Sequence, residues 1–210
     1  LPIYYWLKQY ANMRKCYEQL LERFPNGASA PEALYWLAWY DASEKHYRRA
    51  VDRYEQLMKT FPKHALVPRA RYRRAMSLYQ GGDEQQAANA FYEILTQHPK
   101  TPVDQKEILW AGQYFMDHEQ PARAYAIYDL LLDRQPGRKV RALALYYQAE
   151  VKRRRGEWQA ALKKYKRLLS EQETGLESAG QFGLAVCYRE LGEIGKAREC
   201  LKAVDLSPTD

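Results

Sequence analysis

The chain is 210 residues long, 46% hydrophobic, and carries a formal net charge of +7 from 33 Lys and Arg against 26 Asp and Glu. That apolar content suffices for a continuous core, yet no run approaches the ~20 apolar residues of a membrane span. Three cysteines, Cys16, Cys187 and Cys200, are odd in number and fit no metal-binding spacing, so they are expected to be small core residues.

The first segment with a clear pattern is YEQLLERFP at 17–25, and it returns at 54–62 as YEQLMKTFP, 37 residues later. The same step leads from Pro25 and Pro62 to Pro99, Pro136 and Glu173, and a step of 36 reaches Thr209 beside Pro208. Twelve residues before these six marks lie Met13, Ala50, Ala87, Ala124, Ala161 and Ala197; eight before lie Tyr17, Tyr54, Phe91, Tyr128, Tyr165 and Leu201. Five before lie Leu20, Leu57, Ile94, Leu131, Leu168 and Val204. A small residue, an aromatic and an aliphatic spaced by four and three share one face of a helix, here helix B of each unit. The proline that follows stops the helix, since its ring clashes with the preceding turn and it has no N–H.

A second helix, A, precedes each B. Its small residues lie 24 before the mark, at Ala38, Ala75, Gly112, Ala149 and Ala185. Between A and B stand Gly82, Gly156 and Gly192, each followed by an acidic residue. Glycine there supplies the positive φ that ends helix A. Pro31 and Pro68 open the next A helices at a favoured first-turn position. In the first unit Leu1 takes the place of the small residue and Pro2 would break the helix, so most of that A helix is expected to be missing and the chain to be a fragment of a longer one. The last B helix, roughly 194–204, still shows Leu201 and Val204 without a polar capping helix.

Small residue, aromatic or aliphatic, Gly, Ala, aromatic, aliphatic and Pro in this register resemble the tetratricopeptide repeat. The period is 37 against the family's 34, which places about three extra residues in the loop after B. The resemblance implies an all-α, right-handed superhelical solenoid of antiparallel helix pairs, with about five full repeats and a partial first one. It would form a single domain over 1–210 with marks at 25, 62, 99, 136, 173 and 209. The proline-ended Y-x-x-L-x-x-x-F-P is also similar to repeats of bacterial envelope scaffolds, the outer-membrane assembly lipoprotein and TolA-binding coordinator families. That similarity implies a periplasmic, cell-envelope location.

No catalytic constellation stands out. His46, His64, His98 and His118 are scattered over turns and helix ends and are expected to be exposed there. GEIGKA at 192–197 lacks the first glycine of a phosphate loop and has Ala197 where a magnesium-binding hydroxyl belongs. The carboxylates sit among Lys and Arg on helix faces as i,i+4 partners. The expectation is a protein that is not an enzyme and needs no cofactor or metal.

The family implies that helix A lines the concave wall, at offsets −27, −23 and −20. The predicted groove residues are Tyr35, Tyr72 and Tyr146 at −27, and Trp39, Met76, Gln113 and Glu150 at −23. Tyr79, Met116, Arg153 and Arg189, with Ala42, stand at −20. Tyr, Trp, Met and Arg are types enriched at protein interfaces. The competing reading is that the −27 column packs between helices. Basic runs at Arg69–Arg74, Lys152–Arg155 and Lys163–Arg167 read mainly as solvated helix surface and secondarily as attraction to an acidic partner peptide or anionic polymer, an anionic lipid surface, or nucleic acid. The expected function is a scaffold binding a protein or peptide, with an acidic partner suited to the charge. The alternative is an accessory solenoid of a larger envelope enzyme or polysaccharide exporter that holds a glycan polymer. Nucleic acid ranks last, because the basic runs fall on different faces. The sequence does not set the oligomeric state.

Overall fold

A computed structural model describes residues 9–171 and 174–204. The opening LPIYYW and the marks at Glu173 and Thr209 lie outside the described residues. Among those described, eleven helices and no strands occur. They are α1 (Tyr10–Arg23), α2 (Ala30–Ser43), α3 (Tyr47–Thr60), α4 (Val67–Gln80), α5 (Glu84–Gln97), α6 (Gln105–Asp117), α7 (Pro121–Asp133), α8 (Arg138–Arg154), α9 (Trp158–Leu169), α10 (Glu177–Glu190) and α11 (Ile194–Lys202). A lone B helix, α1, is thus followed by five A/B pairs. The helices fall into two compact units that divide between Val103 and Asp104.

Within each unit every helix packs on the next, and A helices also touch across one intervening B: α2 with α4, α6 with α8, α8 with α10. This is the all-α helical repeat architecture that the sequence predicts. The repeated columns are its core. Ala38, Ala75 and Ala149 of the A helices are buried, as are Ala50, Ala87, Ala124 and Ala161 of the B helices. Tyr54, Phe91, Tyr128 and Tyr165 have 0% exposure. Leu201, at the same offset, is 50% exposed because no described helix follows α11 to cover it.

The glycine turns adopt the expected conformation, with φ of 82° at Gly82, 71° at Gly156 and 78° at Gly192. Lys45 and Glu119 occupy the same offset without being glycine, and they still hold φ of 62° and 57°. The repeat geometry therefore overrides a local preference. A left-handed residue costs roughly 1–2 kcal/mol unless it is glycine, and glycine's added freedom when unfolded returns about half of that. Lys45→Gly and Glu119→Gly are each expected to raise stability by about 0.5–1 kcal/mol, measured by urea denaturation.

The longer period resolves into repeated turns. The amides of Phe24 and Phe61 close the ends of α1 and α3 on Leu20 and Leu57 oxygens at 2.8 and 2.9 Å. After the proline, Gly27 N–H donates to Phe24 O and Ala30 N–H to Gly27 O; one period later His64 donates to Phe61 and Val67 to His64. Two consecutive turns thus accommodate the extra residues. His98 and Thr101 repeat the first of them.

Candidate binding cleft

In the first unit the A-helix wall opens into a cleft of about 150 Å³. Trp39 and Ala42 of α2, Tyr54 of α3, and Arg73 and Met76 of α4 line it. The spacing explains the meeting: Trp39 and Met76 are one period apart, and α2 touches α4 directly. The Trp39 ring stands edge-on to Trp36 at 5.7 Å and tilted against Tyr10 at 6.0 Å, which fixes the indole. Tyr35 is half-buried, with its ring edge-on to Tyr54 at 5.7 Å and to Trp36 at 5.9 Å. Burial, reinforced by Tyr35, pushes the Tyr54 phenol far above its usual range, with Arg73 pulling the other way.

In the second unit the same columns form a closed charge network. The Glu150 carboxylate accepts from Arg153 Nε at 3.0 Å and Nη2 at 2.7 Å, and also from the Tyr165 hydroxyl. Burial opposes its charge, but the bonds from Arg153 and Tyr165 outweigh that and hold the carboxyl below its usual range. Tyr146 is half-buried between the Tyr147 ring at 5.5 Å and the Tyr165 ring at 6.4 Å.

Of the predicted groove residues, the structure brings Trp39 and Met76 into one cleft, together with Ala42. Tyr35 and Tyr146 instead wedge against the core tyrosines. Glu150 and Arg153 meet each other. Gln113 is half-buried on α6, its amide donating to Asp117 at 2.8 Å, and Arg189 is exposed and paired with Glu190 at 2.6 Å. Tyr72 and Tyr79 are half-buried on α4 outside the cleft. Met116 does not belong to a groove: it is buried, at 5% exposure. It stands four residues after the buried Gly112, one turn further along the same packed stripe. At the same offset Ala42 borders the cleft and Arg189 is exposed, so burial here depends on the neighbouring helices rather than on the offset.

Tyr54 and Arg73 were not expected in the cleft. The −8 column marks Tyr54 as a packing ring, and nothing in the spacing shows that the ring borders the cleft. The choice of Tyr over Leu at Tyr54, Tyr128 and Tyr165 is the signal that could have found it.

The comparisons with known proteins agree with this architecture. Tetratricopeptide repeat family models match residues 40–102, 109–175 and 148–210, and a further one matches 3–27. The chain belongs to the tetratricopeptide repeat family. Solved structures similar to it include YrrB, described as a TPR protein with an unusual peptide-binding site, at 14% identity and a TM-score of 0.59, covering 90% of each chain. The MamA protein aligns at 12% identity and a TM-score of 0.58, covering 85% of this chain and 91% of MamA. A tetratricopeptide repeat protein from Parabacteroides merdae aligns at 15% identity and 0.53, covering 95% and 73%. No curated protein matches the chain in sequence.

Tetratricopeptide repeat proteins are non-catalytic binding scaffolds, and this chain is placed among them. No helix among the described residues is long and apolar enough to cross a membrane. Part of the basic runs of this tetratricopeptide chain is engaged locally. Arg74 pairs with Glu55 at 2.7 Å, Lys152 with Glu157 at 2.6 Å, and Arg155 with Glu157 at 2.8 Å. Lys164 donates to Gln148 at 2.6 Å. Of the cysteines, which are all free, Cys187 is buried in the core while Cys16 and Cys200 are only partly covered. His46 and His118 are exposed, His64 and His98 half-buried.

Proposed function

We propose that this tetratricopeptide repeat chain is a scaffold that binds an extended peptide of a partner protein along the A-helix wall of its first unit, against Trp39 and Met76. The observation that carries the reading is the cleft in which these two side chains, one period apart, converge. Trp is a preferred hot-spot residue, and a thioether can adapt to irregular side chains. A structural relative described as having a peptide-binding site supports the same use of the fold. A role in bacterial envelope assembly belongs to this proposal through the resemblance of the repeats alone.

The test uses purified protein on arrays of randomised peptides, with Trp39→Ala and Met76→Ala beside wild type. Wild type should select a subset of peptides, and each variant should lose them at least tenfold in affinity, since an aromatic hot spot is worth roughly 2 kcal/mol or more. Circular dichroism should show unchanged helix content. Selection that survives both substitutions would place the groove elsewhere.

A further inference from the structure

The last pair of described helices, α10 and α11, leaves an apolar groove of about 330 Å³ open between them. Phe182 and Val186 of α10 line it with Ile194 and Leu201 of α11, together with Arg189 and Arg198. Phe182, Ile194 and Leu201 are 57%, 54% and 50% exposed, and they are three of the four large hydrophobic side chains exposed among the described residues. Apolar side chains gathered on one face mark an interaction site, where the same residues scattered singly would mark nothing.

The preceding helix pair displays what such a face accepts. Steps of 36 carry Tyr146, Trp158 and Tyr165 to Phe182, Ile194 and Leu201. Tyr146 and Trp158 are half-buried against the core, and Tyr165 is fully buried. Their cover is a helix: α10 packs on α9 and touches α8, with its Gly183 laid directly against the Tyr165 ring. The open groove repeats this seat with different charges. Arg198 stands where Leu162 is buried. Arg189 stands where Arg153 does, but the Glu150 that holds Arg153 is replaced by Val186. Arg189 turns instead to Glu190 at 2.6 Å. Arg198 is exposed and forms no ion pair among the described residues. No acidic side chain lines the groove, so it has an apolar floor and a cationic border.

We infer that the α10–α11 groove docks an amphipathic α-helix of a partner protein, with an apolar stripe and acidic residues beside it. This is a second surface, independent of the Trp39–Met76 cleft and of the peptide reading above. A helix fits because both walls are helices, whose side chains form ridges that another helix's grooves accept. Apolar residues of the partner at i, i+3 or i+4, and i+7 lie on Phe182, Ile194 and Leu201. A carboxylate beside that stripe faces Arg198. Charge complementarity selects the acidic flank, since a basic one would meet two arginines with no carboxylate between them.

The experiment uses three synthetic amphipathic helices that share one Leu stripe and differ only in the residues beside it, Glu, Gln or Lys. Each is titrated against the full chain as wild type, Ile194→Gln, Leu201→Gln, Arg198→Gln and Trp39→Ala. Wild type is expected to bind the Glu helix roughly threefold more tightly than the Gln helix, the scale of an exposed ion pair, and to bind the Lys helix least. Ile194→Gln and Leu201→Gln should each weaken binding about fivefold or more. Their melting temperatures should stay near that of wild type, because both side chains are already half exposed. Arg198→Gln should remove the preference for Glu over Gln while binding persists. Trp39→Ala should bind as wild type does, which separates this groove from the first unit's cleft. The proposal is overturned if no helix binds, if both Gln variants bind as wild type does, if Trp39→Ala abolishes binding, or if the Lys helix binds as tightly as the Glu helix. Sedimentation of a wild-type dimer that Leu201→Gln dissociates would also overturn it, since a second copy of the chain would then fill the groove.

Discussion

Tyr128→Ala is expected to cost about 3–5 kcal/mol, the range for emptying a buried aromatic site. The ring has 0% exposure. It lies against Gly112 of the preceding A helix, where even an added Cβ would come within 2.6 Å of it, and it stacks on Tyr147 at 5.1 Å with a 15° interplanar angle. Neither neighbour can move in without dragging a helix, so the cavity stays open. Tyr128→Phe should be nearly neutral, because the lost hydroxyl has no hydrogen-bond partner among the described residues. Tyr165→Phe, at the same repeat position, should instead cost roughly 1.5–3 kcal/mol, since it strips a hydrogen bond from the half-buried Glu150 carboxylate. Denaturant titration of the three variants tests the whole pattern. Equal costs for the two Phe variants would show that the position, not the hydroxyl's partner, sets the energy.

Gly183→Ala is expected to destabilise by about 1–3 kcal/mol, against the rule that alanine improves a helix interior by roughly 1 kcal/mol. The new methyl would stand 2.3 Å from the Tyr165 ring. That ring is buried and its hydroxyl is tied to Glu150, so it cannot swing aside. Gly195→Ala supplies the control on the next helix. An added Cβ there meets nothing within 4 Å, so the ordinary helix gain of about 0.5–1 kcal/mol should appear. Thermal melts of both variants should therefore move in opposite directions. A stabilised Gly183→Ala would mean that α9 and α10 pack less tightly than described.

The fold was legible because the repeat states each constraint several times. Pro25, Pro62 and Pro99 follow helix ends, and Gly82, Gly156 and Gly192 show the positive φ expected of them. Lys45 and Glu119 show the limit of residue-type reasoning, since neighbouring helices impose the same turn on residues that resist it. The cleft was half legible. Column spacing put Trp39 and Met76 on one wall, because a period and a helix face are one-dimensional facts. It could not show that Met116 is buried under the next turn, or that Glu150 and Arg153 satisfy each other. Those outcomes depend on side-chain length and on which partner lies across the interface. The unpaired hydroxyls of Tyr54 and Tyr128 were the least legible features, since they are defined by what the surrounding helices fail to supply.

Each described helix touches only the one or two that follow or precede it within its unit. Free energy in such a stack passes between nearest neighbours, so local opening is not tied to a single global event. A ligand seated on α2, α3 and α4 would slow amide exchange in those helices and the pair beside them, and leave distant ones at their unbound rates. Occupancy of the cleft would then be recorded as a gradient of protection along the chain, steepest at the helices that hold the ligand.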